Sequence, residues 1–148
     1  MLITDNRDGL LRGDRTHVAK LLTSARPWGG LTLGAYVRFQ SGGAWEARGL
    51  PSANVSSSSY VAYLEAAGTR RMDDWLNADL LAAYDWSIGG TIVTLEGRLL
   101  NAFDDQTELS VDDRLILGRG TEPNNPNFGK ATSFSSPRAF SLAAQVRF

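Results

Sequence analysis

The sequence predicts an all-β fold, an antiparallel segment of a transmembrane β-barrel holding about five strands of a large one. Three features carry that expectation. Several stretches of about ten residues alternate between apolar and polar side chains, and a period of two marks a strand with two different faces. The connections between them run short, long, short, long, at about 5, 34, 4 and 33 residues, an asymmetry typical of barrels with brief turns on one side of a membrane and extended loops on the other. The last stretch, Arg138 to Phe148, alternates up to an aromatic residue at the very end of the chain, where a soluble domain ordinarily frays.

Residues 1–14 are polar and rich in Asp, Asn and Gly, and read as loop. Within them Arg12-Gly13-Asp14 spells an adhesion-like tripeptide that arises often by chance. Arg15 to Ala25 is the first candidate strand, with Val18 and Leu22 breaking the alternation on its polar side. Arg26-Pro27-Trp28-Gly29-Gly30 is a short turn by its Pro and Gly content. Leu31 to Gln40 alternates cleanly: Leu31, Leu33, Ala35, Val37 and Phe39 share one face, Thr32, Tyr36, Arg38 and Gln40 the other. Its length suits a tilted strand crossing a bilayer, which takes about 9–11 residues.

Ser41 to Asp74 is a long Gly/Ser-rich segment with Ser56 to Ser59 as a low-complexity patch, Tyr60 to Glu65 as an extension of strand, and a charged stretch around Arg70, Arg71, Asp73 and Asp74. Trp75 to Trp86 alternates again, as does Thr91 to Phe103, and Ser87-Ile88-Gly89-Gly90 turns the chain between them. Asp104 to Ser136 is a second long polar segment. In the final strand Phe140, Leu142, Ala144, Val146 and Phe148 share the apolar face.

Net charge is −1, so no basic footprint points to nucleic acid. Cysteine is absent and His17 is the only histidine, which removes disulfides, thiolate chemistry, histidine triads and multi-His zinc sites. No metal site, cofactor or catalytic residue is expected. Acidic pairs at Asp73/Asp74, Asp104/Asp105 and Asp112/Asp113 could in principle hold Ca²⁺ or serve acid–base chemistry. All three lie in expected outer loops, where hydrated charge is the ordinary state. Gly118-Arg119-Gly120 lacks the strand-to-helix setting of a phosphate loop and reads as a turn. No apolar run is long enough for a transmembrane helix, and the first residues do not form a signal peptide.

Several stretches together resemble the TonB-dependent receptors of the bacterial outer membrane, in their Oar-like branch that bears a carboxypeptidase-regulatory-like domain. They are G-D-R-T-H-V-A-K at 13–20, E-A-A-G-T-R-R-M-D-D-W-L-N-A-D-L at 65–80, L-L-N-A-F-D-D-Q at 99–106, P-N-F-G at 126–129 and S-P-R-A-F at 136–140, ahead of the terminal aromatic. The resemblance covers nearly the whole chain but only the C-terminal end of the family. It implies residues 1–148 as a barrel fragment without plug domain or signal peptide, with short periplasmic turns and long extracellular loops. It implies residence in the cell outer membrane of a Gram-negative bacterium and TonB-energised uptake of a scarce nutrient, with no chemistry on the cargo. The partners implied are outer-membrane lipid, the rest of the barrel and its plug, the barrel-assembly machinery, the TonB complex through the missing parts, and a small or oligomeric nutrient; nucleic acid is not among them. Phe140, Leu142, Val146 and Phe148 look like the signal that machinery reads.

Two groups of residues follow as candidates. Arg38, Asp79, Asp85, Glu96 and Arg98 sit at polar parity within apolar strands and would face the lumen, pairing with one another or with a plug. Trp45, Tyr60, Tyr63, Arg70 and Arg71, in an outer loop, would contact ligand. Trp28, Trp86 and Phe148 would form an aromatic rim on the periplasmic side, with Phe39, Phe103 and Phe140 at the outer one, while the parity of Trp75 turns it inward. One rival uses the same alternation: a soluble β-sandwich carbohydrate-binding module, with a face packed on a second sheet and glycan bound through Trp45 or Trp75. Another is a small hydrolase using a carboxylate pair.

Overall fold

The computed structural model describes residues 5–49, 61–118 and 122–148. Tyr60, the Ser56–Ser59 patch and Arg119-Gly120 lie outside them. Among the described residues the chain is all-β, with no helix. In chain order the strands are β1 (Val18–Ala25), β2 (Leu31–Gln40), β3 (Ala44–Trp45), β4 (Arg48–Gly49), β5 (Ala62–Tyr63), β6 (Arg70–Arg71), β7 (Trp75–Ile88), β8 (Thr91–Leu100), β9 (Glu108–Val111), β10 (Ala131–Phe134) and β11 (Ala139–Arg147). They fall into two compact units, one made of the long strands and their short turns (His17–Gln40, Trp75–Gln106, Ser136–Phe148) and one of the N-terminal residues with the two long connecting segments (Met1–Thr16, Ser41–Asp74, Thr107–Ser135).

The first unit is a five-stranded antiparallel sheet in the order β1-β2-β7-β8-β11. It is an open sheet: β1 and β11 form its two edges. Directly paired residues of an antiparallel ladder lie on the same face, so the register decides whether five separately alternating strands make one apolar surface. They do. One row runs Ala25–Leu33–Ala82–Gly97–Leu142 and the next Thr23–Ala35–Leu80–Leu99–Phe140. The opposite face carries rows such as Leu22–Tyr36–Asp79 and, across the last three strands, Leu81–Arg98–Ser141 and Ala83–Glu96–Ala143. The apolar face is exposed rather than packed: Leu21 is 60% accessible, and Phe140 and Leu142 are each 66% accessible.

Two tight turns and one clamp fix this register. Gly89 and Gly90 both take positive φ, 54° and 87°, the conformation of a two-residue type I′ hairpin whose twist matches the strands it joins. At the other short turn Gly30 has φ 81° and accepts the amide of Asp85 at 2.8 Å. A Cβ there would come within 2.6 Å of the Asp85 carbonyl oxygen, so only glycine fits. Strand β8 stops at Leu100, short of the expected Phe103, because Asn101 turns left-handed at φ 48°. Its backbone N–H donates to Asp79 Oδ1 at 2.9 Å, and its Nδ2 donates to the carbonyls of Asp105 at 3.2 Å and Ser136 at 2.8 Å. Asp104 Oδ1 then accepts from the Arg138 amide at 2.8 Å. The corner thus ties β7 and β8 to the entry of β11.

Other boundaries move for similar reasons. Strand β1 begins at Val18, not at Arg15, whose guanidinium donates to the Ser41 carbonyl at 3.0 Å. Strand β7 runs to Ile88, beyond the expected Trp86. The larger correction concerns the two long segments, read as loop apart from the strand expected at Tyr60 to Glu65, where β5 lies. They hold three two-stranded sheets, β3–β6, β4–β5 and β9–β10. Most of these strands have two residues, too short for any periodicity to show in the sequence.

Asn101 is 5% accessible, and its side chain holds two carbonyls from a conformation that costs most residues about 1–2 kcal/mol. Replacing Asn101 with Gly, which keeps the turn but loses those bonds, is expected to destabilise the chain by about 1–3 kcal/mol. Replacing it with Ala adds the left-handed strain and should cost about 1 kcal/mol more. Denaturant midpoints of the two variants check the ordering, and equal losses would show that the corner conformation contributes nothing.

Candidate functional site

The two groups of candidate residues fall in different units. On the charged face of the five-stranded sheet, Arg38, Asp79, Asp85, Glu96 and Arg98 all share one side by register. Each has a partner there. The Arg38 guanidinium lies 5.0 Å from the centre of the Trp75 ring. Asp79 accepts from Asn77 Nδ2 at 3.0 Å as well as from the Asn101 amide. Asp85 Oδ1 accepts from the Thr94 hydroxyl at 2.6 Å and lies 3.9 Å from Arg147. Glu96 pairs with Arg98 at 2.6 Å. The face is therefore a set of local pairs rather than a convergent cluster. Leu22, Leu81 and Ala83 lie on the same face, where their parity in the sequence puts them, and give it apolar patches.

The other unit brings three of the five loop candidates into pairs. Trp45 is 8% accessible, with its ring 5.7 Å from Phe128. The Arg70 guanidinium lies 5.2 Å from each ring, the stacking geometry in which a cation meets the negative face of an aromatic. Arg70 also binds Glu65 through Nε at 2.7 Å and Nη2 at 3.2 Å, and Glu65 accepts from the Ala47 amide at 2.7 Å. The Arg70 hydrogen bond holds the Glu65 carboxyl below its ordinary range, and Arg70 is raised in turn. Tyr63 packs under Arg48, at 4.9 Å, and Arg7, at 5.7 Å. Arg71 stands apart and donates to the Gly42 carbonyl at 3.0 Å. Tyr60 lies outside the described residues.

A denser cluster in this unit went unpredicted. Glu46 is fully buried and pairs with Arg48 at 2.5 Å; its second oxygen accepts from the Gly68 amide at 3.2 Å. Arg48 also reaches Asp113 at 3.4 Å, and Arg12 pairs with the same Asp113 oxygen. Next to it Asp112 holds Arg114 through two nitrogens, at 3.0 and 3.1 Å, and accepts from Asn125 at 3.1 Å. A weak sequence signal existed: Glu46 and Arg48 are opposite charges two apart, the spacing that shares a face of an extended chain. Arg12, read within the adhesion-like tripeptide, is in fact tied to a residue about a hundred positions away. Among the described residues no group of three or more His, Asp or Glu converges on a point where a metal ion could sit. Trp45 and Trp75, the rings named for glycan contact, each have an arginine over the ring, at 5.2 and 5.0 Å.

The Arg114 hydrogen bond depresses Asp112 to about 2 from its ordinary 3.8. A carboxyl whose folded pKa lies below its unfolded one stabilises the fold above the unfolded value and loses that contribution as pH falls through the folded one. Stability should therefore drop between pH 4 and 2, and Asp112→Asn should flatten that part of the profile of urea midpoint against pH. An unchanged acid slope in the variant would remove Asp112 from the account. Comparison of the chain with protein-family models, curated proteins and solved structures found no match.

Proposed function

We propose that the chain forms part of the wall of an outer-membrane β-barrel of the TonB-dependent receptor type, contributing its last strands and two outer segments to the energised uptake of a scarce nutrient. The observation that carries the reading is the exposed apolar face of the five-stranded sheet, made continuous by register, with charges segregated to the reverse side. In water, an exposed apolar surface spanning five strands is a liability; against lipid it is the required surface, and the charged side then meets the lumen. Strands β2 and β8 have ten residues each. At about 3.3 Å per residue and a tilt near 40° they span roughly 25 Å, the height of the apolar band of such walls. Trp28, Trp86 and Phe148 lie at one end of the sheet, where aromatic rings settle at the edge of the lipid.

Five strands cannot close a barrel, since even narrow ones take about eight and plugged transporters about twenty-two. The open edges of β1 and β11 would continue into further strands of the same wall, because unpaired backbone groups in lipid cost several kcal/mol each. On this reading the chain acts on no substrate chemically. It touches lipid outside, a plug inside and the nutrient through its outer segments, and the TonB complex reaches it through the plug.

The native sequence has no cysteine, so single reporters at paired positions separate the faces. Refolded with detergent micelles or lipid vesicles, the chain should give a β-type circular dichroism spectrum that it lacks without them. Leu33→Cys and Leu95→Cys should resist a polar maleimide, while Thr32→Cys and Thr94→Cys react. Leu33→Arg should cost up to about 2–4 kcal/mol toward the bilayer centre, and Thr32→Arg much less. A stable detergent-free globule that buries the same leucines would overturn the membrane reading. Removing Phe148 should lower the amount assembled in the outer membrane of a Gram-negative host; undiminished levels would contradict a terminal assembly signal.

A further inference from the structure

The ion-paired cluster of the second unit borders a hollow of about 330 Å³. Its polar side is formed by Arg12, Arg48 and Arg114 around Asp113, and its apolar side by Val61, Ile116 and Leu117. Gly49 lets the apolar wall pack close: a Cβ there would lie 3.1 Å from Ile116 Cβ and 3.1 Å from Leu64 Cδ1. Three guanidiniums and the three carboxylates that hold them sum to zero charge, so the cluster is not a simple basic patch. What matters is which end of each pair faces outward. The Asp113 and Asp112 side chains are 12% and 11% accessible, and that of Glu46 is 1%. Those of Arg12 and Arg114 are 40% and 65% accessible. In every pair the carboxylate is the more buried partner, although Arg48, at 20%, is itself largely covered.

We propose that this hollow binds a small organic acid, its carboxylate on Arg12 and Arg114 and a short aliphatic stem on Val61, Ile116 and Leu117. A guanidinium presents five donors in a planar fork suited to carboxylate oxygens. Arg114 uses Nε and Nη2 on Asp112, and Nη1 stands outside that fork. Val61 and Leu117 are themselves exposed, at 42% and 38%, so an aliphatic stem would cover apolar surface that water now wets. The volume falls at the small end of ligand pockets, which favours a compact acid over an extended oligomer. The inference does not require the membrane reading, since every residue belongs to one compact unit.

The test is a titration of the full chain, refolded in uncharged maltoside micelles, followed through the arginine Nε–H signals in nitrogen-correlated NMR. Hexanoate should shift the Arg12 and Arg114 signals in a saturable way. Acetate should bind at least about tenfold more weakly, because burial of each methylene counts. Hexylamine should leave the signals in place, and inorganic phosphate should behave like acetate. N-acetyl-leucine tests the same chemistry as a peptide end; whichever of it and hexanoate binds more tightly names the source. Arg114→Gln and Leu117→Ser should each weaken hexanoate at least about fivefold while the backbone amide spectrum stays native. Equal binding of acetate, phosphate and hexanoate would overturn the proposal, as would binding of hexylamine or indifference to both substitutions. If the chain folds without detergent, the same titration in plain buffer keeps this outcome separate from that of the membrane reading.

Discussion

The register of the five-stranded sheet is the constraint on which the rest depends. Side chains alternate along each strand, so slipping any one of the four pairings by a single residue would turn a whole strand's leucines to the charged face and its charges to the apolar one. Gly30 sets the β1–β2 turn and Gly89 and Gly90 the β7–β8 turn, which fixes the Ala25–Leu33 and Ala82–Gly97 pairings. The turn at Gly30 also supplies the carbonyl that takes up the Asp85 amide at the start of the sheet's next hairpin.

The long connections raise a second problem, because the chain leaves the sheet after β2 and again after β8 and must return in register each time. At the second departure the solution is the Asn101 corner. Its side chain holds the carbonyl of Ser136, the residue that opens the return, so exit and re-entry are fastened together regardless of what happens between them. Asp104 repeats the fastening through the Arg138 amide. This accounts for a left-handed asparagine and a left-handed aspartate within four residues, a local strain repaid by bonds to two strands.

The segments between the strands fold by different physics. With few large apolar residues to bury, they use ion pairs stacked on aromatic rings: Arg70 on Trp45 and Phe128, Arg48 on Tyr63. A buried carboxylate such as Glu46 is costly unless fully paired, and here both oxygens have partners. The same pairing that satisfies the carboxylates inside leaves the guanidiniums of Arg12 and Arg114 exposed.

Alternation in Leu31–Gln40, Trp75–Trp86, Thr91–Phe103 and Arg138–Phe148 was enough to place the strands, though not all their ends, and to assign their faces, because a period of two is a local property and each strand is long enough to display it several times. The charged residues of the polar face were legible for the same reason. Tertiary structure alone decided the rest. Two-residue strands show no period, and the Arg12–Asp113 pair joins positions far apart in the chain, where no local pattern reaches. What the sequence could not encode locally is also what makes the loop unit a shaped surface: contacts between distant charges that become neighbours only once the chain has folded.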